Sequence, residues 1–333
     1  MTQINVLGKS SGMQIDVSVI LSTYNRCSQL GPALEALLAQ STASFNYEIL
    51  VVDNNSSDGT RELVQSLIAR NPEKLRYLFE AKQGLSYGRN AGISTSHAPI
   101  IAFTDDDVRV SPDWVAQIKR EFDAYPNIDF LGGKVLPRWV SPPGPWLTRE
   151  HWAPLALLDY GDQTFYVDAA KRLCLIGANF AFRRRVFDEL GMFKTDFQRV
   201  KDGIGSLEDH EMLLRLWHAN RKGLYFPHII VTAEIESERL QKSYHRRWHA
   251  GHGRFYAALR DEEIERSDIG RICGVPAHFY RQALRAGLGW VASSLGNRPD
   301  EAFSQELRLR YFVGFSSRRW WEFFGLKRQP RSQ

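Results

Sequence analysis

Four short apolar runs, at residues 17–23, 47–53, 75–79 and 99–103, alternate with segments whose apolar residues recur at helical spacing. Nothing else in the chain constrains its fold as tightly. Strands and helices in this rhythm form a mainly parallel sheet flanked by helices. Helices are expected over residues 29–38, 60–70 and 88–95, the second of them stopped near Asn71 and Pro72. Ligands of such sheets sit beyond the carboxyl ends of the strands. Asp53 and the run Asp105, Asp106, Asp107 both fall at predicted strand ends.

Three consecutive aspartates after an apolar strand repel one another unless something positive offsets them. A divalent cation does so, and Mg²⁺ or Mn²⁺ is typically held by one or two carboxylates plus substrate phosphates. On an extended segment Asp105 and Asp107 point one way and Asp106 the other. The plain alternative is a solvated acidic turn before Pro112. Asp53 can accept a hydrogen bond from a nucleobase or a ribose, or simply cap its own turn. Arg89, where a loop enters a helix, suits a diphosphate or is a surface arginine. Glu208 and Asp209 open a further helix; Asp209 is either a general base or one of the acids that stabilise helix N-termini.

Taken together, these residues resemble the family 2 glycosyltransferases of GT-A fold. The resemblance rests on the segment from Val17 to Arg26, the segment from Val51 to Thr60, Gly88 to Gly92, Phe103 to Asp107, and the pair Glu208 and Asp209, in that order. It implies a metal-dependent, inverting transfer of sugar from a UDP-, GDP- or dTDP-sugar to a hydroxyl of a glycan or lipid-linked glycan. Carried over position by position, Thr23 and Asp53 line the nucleotide pocket and Arg89 lies near ribose or phosphate. Asp105 and Asp107 take the two acidic places of the DxD motif and hold Mn²⁺ or Mg²⁺. Asp105 and Asp106 also address the nucleotide-sugar, and Asp209 is the catalytic base. The expected layout is a GT-A-like catalytic domain over residues 14–238 and a basic helical extension over 239–333.

That extension carries 18 Lys/Arg against 9 Asp/Glu, +9 out of a chain total of +5, so the preceding residues are net acidic. A basic segment points to an anionic partner. Residues 312–331 interleave Phe315, Trp320, Trp321, Phe323, Phe324 and Leu326 with Arg318, Arg319, Lys327, Arg328 and Arg331, a pattern suited to an interfacial helix on anionic lipid or to a helix docked on the protein. No nucleic acid is expected as a partner. The polar N-terminus lacks the apolar core of a signal peptide. The most apolar stretch, residues 283–295, is short of the ~20 residues that span a bilayer and carries Arg285. The expected location is the cytoplasm, peripherally on the inner face of the plasma membrane. Residues 137–154, with five prolines and three tryptophans, read as a surface loop whose Trp139, Trp146 and Trp152 either pack or face an acceptor sugar. His245, His249 and His252 sit in a basic segment that either covers a diphosphate, ligates a metal, or is a solvated helix.

Two rival functions differ in what they require. A sugar nucleotidyltransferase also uses acidic metal sites, but needs a glycine-rich N-terminal loop that Gly31 and Pro32 do not supply. A binding-only scaffold would not need Asp53, Asp105, Asp107 and Asp209 all to be present. A dinucleotide-binding dehydrogenase is disfavoured, because Ser22-Thr-Tyr-Asn-Arg stands where G-x-G-x-x-G would be.

Overall fold

A computed structural model describes residues 6–7, 14–42, 44–200, 204–261 and 270–325. They divide into two compact units. The first draws on Met1–Ser141, Leu155–Asp202 and Glu208–Glu236, the second on Pro142–Pro154, Gly203–Leu207 and Ser237–Gln333.

The first unit is a three-layer α/β structure. In chain order it contains β1 (Val6–Leu7), β2 (Val17–Thr23), α1 (Cys27–Leu38), β3 (Tyr47–Asp53), α2 (Thr60–Arg70), β4 (Leu75–Phe79), α3 (Leu85–Thr95), β5 (Ile100–Asp105), β6 (Val108–Val110) and α4 (Trp114–Ala124). It continues through β7 (Phe130–Trp139), β8 (Phe165–Val167), β9 (Phe180–Arg183), α5 (Arg185–Leu190), α6 (Glu208–His218) and β10 (Gly223–Ile235). Among the described residues these ten strands form one sheet, ordered β1-β4-β3-β2-β5-β9-β7-β10-β6, with β8 beside β10. The neighbours β4, β3, β2 and β5 run parallel, as the alternation predicts. β9 enters antiparallel between β5 and β7, where the crossover rhythm has ended.

Every residue of β3 is buried, as befits a strand covered on both faces. The register sets the site: Thr23 pairs with Asp53, and Ser22 with Asp105, so the carboxyl ends of β2, β3 and β5 lie side by side. α3 seats unusually close to β2. A Cβ on Gly88 would lie 2.2 Å from Ser22 Oγ, and one on Gly92 would lie 2.6 Å from Ile20 Cγ2. The intervening Arg89 is thereby drawn into the interior.

The apolar run over residues 173–182 is strand-like in pattern, but only Phe180–Arg183, β9, pairs in the sheet. Gly177–Asn179 instead form a short 3₁₀ turn ahead of it. The buried Asn179 explains why: its amide donates to the carbonyls of Lys134 and Ile229 and accepts from the Trp114 indole. These bonds tie the turn to neighbouring elements rather than to a ladder.

The second unit is helical: α7 (Lys242–Leu259), the small ribbon β11 (Arg271–Ile272) and β12 (Val275–Pro276), α8 (Ala277–Leu295) and α9 (Pro299–Phe323). Its core gathers Ala257, Val275, Phe279 and Phe315. Trp146 packs edge-on against His245 and Phe303, each 4.9 Å between ring centres, and Trp152 lies under the Arg149 guanidinium. Both tryptophans are thus engaged in packing. His245 is fully buried, and His252 stacks on Trp248. Within the expected tail, Phe315 and Arg319 are buried, whereas Trp320, Trp321, Phe323 and Phe324 are exposed. Leu326, Lys327, Arg328 and Arg331 lie outside the described residues. Among the described residues, no helix is long and apolar enough to cross a membrane.

Candidate active site

The acidic run does not follow strand alternation. β5 ends at Asp105, and Asp106 and Asp107 form the turn into β6. The period-two rule needs extended backbone, so strand alternation does not set the directions of Asp106 and Asp107. Asp106 and Asp107 share one cation: Arg26 Nη1 lies 2.9 Å from Asp107 Oδ2 and 3.5 Å from Asp106 Oδ1. The Thr23 hydroxyl donates to Asp106 Oδ2 at 2.7 Å. Asp106 is therefore fastened inward by Thr23 and Arg26.

Asp105 turns the other way, to Arg89. Arg89 Nη2 lies 3.8 Å from Asp105 Oδ1, while Nη1 lies 2.6 Å from Asp209 Oδ1 and 3.2 Å from Glu208 Oε1. Its guanidinium is buried among the rings of Phe103, Phe180 and Phe193. Arg89 is thus neither a surface arginine nor one presented at a loop mouth. It joins the end of β5 to the start of α6. The second Asp209 oxygen accepts from the Gly177 backbone N–H at 2.8 Å. A Cβ on Gly177 would stand 2.2 Å from Arg89 Nη2 and 2.8 Å from Asp209 Oδ2, so only glycine admits both groups.

The charges at this edge depend on one another. Burial pulls the Arg89 pKa down, but Asp209, Glu208 and Asp105 more than offset it and hold it above its ordinary value. Arg26 behaves likewise: burial opposes its charge, and Asp106, Asp107 and Glu236 restore it. Burial pushes Asp106 up to about 7, against the pull of Arg26, with Asp107 and Asp105 adding to the rise. Asp105 is also raised, by burial first and then by Asp107 and Asp209, despite Arg89. Nearby, burial and then Asp209 and Glu208 push the Cys174 thiol up to about 12, which keeps it un-ionised.

Asp53 is buried at the end of β3. One oxygen accepts from the Ser56 N–H at 2.8 Å and the other from the Tyr77 hydroxyl at 2.7 Å. Each carboxylate oxygen keeps a further acceptor position. The described part of the site therefore holds an all-oxygen acidic set, suited to a hard cation when phosphate oxygens complete the shell. Among the described residues, no three His, Cys, Asp or Glu side chains converge as a metal cage.

A family model described as glycosyl transferase family 2 matches residues 18–191, just over half of the chain. This protein belongs to glycosyl transferase family 2. The family 2 chain is 26% identical over 204 residues to the glucosyl-dolichyl phosphate glucuronosyltransferase of Haloferax volcanii, an alignment covering 60% of this chain and 63% of that protein. It is 35% identical over 120 residues to glycosyltransferase AglE of the same organism, covering 36% of this chain and 39% of AglE. The chain thus spans less than two thirds of the length of either relative. Its structure superposes on the mannosyltransferase PcManGT of Pyrobaculum calidifontis, in complex with GDP-Man and Mn²⁺, with a TM-score of 0.62 and 17% identity over 94% of this chain and 89% of that one. S. aureus TarS 1-349 in complex with UDP follows at a TM-score of 0.52 and 15% identity, over 91% of each chain. At these identities the likeness is one of fold, and the fold is GT-A.

Three residues that sequence reasoning did not place in the site belong to its frame. Arg26 stood in a segment the resemblance used, but its partners lie some eighty positions downstream. Gly177 carried no local signal, since its role comes from the approach of Asp209. Glu208 was read as a helix-start acid, and it is a buried partner of Arg89.

Proposed function

We propose that this chain transfers a sugar, with inversion, from a nucleoside-diphosphate sugar to a hydroxyl of a glycan or lipid-linked glycan. The observation that carries the reading is the Arg89 junction. It brings Asp209, 120 positions away in sequence, into one charged cluster with Asp105 at the carboxyl edge of the sheet. Family membership supports the same chemistry. So do the GDP-Man, UDP and lipid-linked sugar in the names of the neighbours and relative described above.

In this reading Asp209 is the general base. The acceptor hydroxyl loses its proton to the Asp209 carboxylate as its oxygen bonds to the anomeric carbon. The bond from that carbon to the diphosphate oxygen breaks, and the nucleoside diphosphate leaves with the electron pair. Arg89 and the Gly177 N–H hold one Asp209 oxygen each, which orients the base. Arg89 is thereby a positioning residue rather than a diphosphate contact. Asp53 and Thr23 border the nucleotide, Asp53 toward the base. Asp105 and Asp107 would hold Mn²⁺ or Mg²⁺, and Asp106 locks the turn that presents them. When bound, such an ion stabilises charge developing on the departing diphosphate. A peripheral seat on an anionic membrane face, through the helical unit, completes the reading.

Incubation with UDP-, GDP- and dTDP-sugars, with and without Mn²⁺, tests it by release of nucleoside diphosphate. Metal-stimulated release from one donor is expected. Pyrophosphate release from a nucleoside triphosphate and a sugar 1-phosphate would assign the site to nucleotidyl transfer instead.

A further inference from the structure

On α8, Leu284, Leu288, Val291 and Leu295 are 66%, 65%, 47% and 84% exposed. Their spacing of four, three and four residues sets them within roughly 60° of one another around the helix axis. The buried residues of the same helix, Phe279, Ala286 and Ser293, lie on the opposite side. α8 thus packs inward with one face and leaves a complete apolar stripe outside. Val313 and Trp320 on α9, and Phe324 just past its end, follow at intervals of seven and four residues, and all three are exposed. The Trp320 indole donates to the Tyr280 hydroxyl, which fastens the aromatic end of α9 beside the start of α8.

Charge decides what covers this face. The 19 residues of α8 include no acid, and Arg281 and Arg285 lie along one edge of its stripe. Arg285 and Arg308 of α9 line a groove of about 620 Å³ floored by Phe279 and Tyr311. The acids of α9 are engaged elsewhere: Asp300 with Lys242, Glu301 with Arg298, Glu306 with Arg246, and Glu322 with Arg318. Arg281, Arg285 and Arg308 form no ion pair with any described residue. A second copy of this chain would bring the same three cations and, on α8 and α9, no acid free of an ion pair. An anionic bilayer supplies both things the face lacks, hydrocarbon for the leucines and phosphate for the arginines.

We propose that the outward face of α8, with the exposed end of α9, is the surface by which this protein lies on anionic membranes. Arg281, Arg285 and Arg308 take lipid phosphates, while Leu284, Leu288, Val291 and Leu295 enter the interface. The proposal deepens the membrane-seated reading above by naming its contact face, and vesicle binding reports on it without any sugar transfer.

The test is flotation of the full chain with vesicles of phosphatidylcholine alone or mixed with phosphatidylglycerol. Binding is expected only to the mixed vesicles. Arg281→Gln/Arg285→Gln/Arg308→Gln should lower the partition coefficient roughly a hundredfold, since each arginine near such a surface is worth about a factor of five. Leu284→Glu/Leu288→Glu should lower it on the order of tenfold or more. Unchanged circular dichroism and donor hydrolysis would show both variants folded and active. Lys327→Gln/Arg328→Gln/Arg331→Gln should keep most of the binding. The proposal is overturned by equal binding to neutral vesicles, by no binding, or by loss confined to the last variant. It is also overturned if the wild type forms a concentration-dependent dimer that Leu284→Glu/Leu288→Glu abolishes.

Discussion

Each unit of this protein buries a nitrogen base among aromatic rings, and the two bases end in opposite states. Arg89 lies among Phe103, Phe180 and Phe193 and has three carboxylates within ion-pair reach. His245 lies against Trp146, His151 and Tyr244, and the charged neighbours that act on it, His249, His151 and Arg239, are all basic. Burial alone disfavours charge in both. The carboxylates reverse that at Arg89, whereas burial and the basic neighbours pull His245 down to about 4. Aromatic burial with matched counter-charges makes a rigid charged site. The same burial without them makes a neutral packing element. His245 accordingly serves the helical unit as core, with its Nε2 bonded to the Arg239 carbonyl.

The strongest way to break the comparison is Arg89→Met, which leaves Asp209, Glu208 and Asp105 uncompensated. We expect a loss of about 3–5 kcal/mol of stability, read from denaturant melts. Gly177→Ala should come next, at about 1–3 kcal/mol, because the new methyl displaces Arg89 or Asp209. Its turnover should fall further than its stability implies. Arg26→Gln should cost only about 1 kcal/mol, since that arginine is partly open to solvent. In the proposed site Arg26 would compete with a cation for Asp107, so the Mn²⁺ concentration for half-maximal activity should drop in this variant. An unchanged metal titration would detach Asp107 from the metal.

The smallest effect at neutral pH concerns the other member of the pair, whose contribution changes only in acid. His245 has a folded pKa near 4 against an ordinary 6.5, so the unfolded chain takes up its proton first. Its contribution to stability is complete above about pH 6.5 and is lost as pH falls through about 4. His245→Phe should flatten the melting temperature between those values relative to wild type. Parallel curves for the two proteins would contradict the assignment.

Much of this was legible in the sequence. β3, α2 and β4 begin and end where apolar runs and turn residues placed them, because each depends on local spacing and buried faces. Asp53, Asp105 and Asp209 lie at element ends for the same reason. What could not be read is what depends on approach in space. Asp106 and Asp107 pair through Arg26 because the strand stops at Asp105, and strand length is set by its neighbours. Gly177 and Arg89 acquire their roles only when α6 arrives. The apolar stripe of α8 was present in the spacing of Leu284, Leu288, Val291 and Leu295, but it has meaning only once the opposite face is known to be buried.

The proposed transfer depends most directly on Asp209. Turnover and donor affinity of Asp209→Asn should be measured side by side, using product formation and nucleoside-diphosphate-induced thermal shifts. Asparagine has a single acceptor oxygen, so it keeps the bond from Arg89 or the one from the Gly177 N–H but not both. It is also a poor proton acceptor, so donor binding should persist while transfer falls by about 10²–10⁴. Turnover equal to wild type would show that the cluster assembled around Arg89 is not where the acceptor is deprotonated.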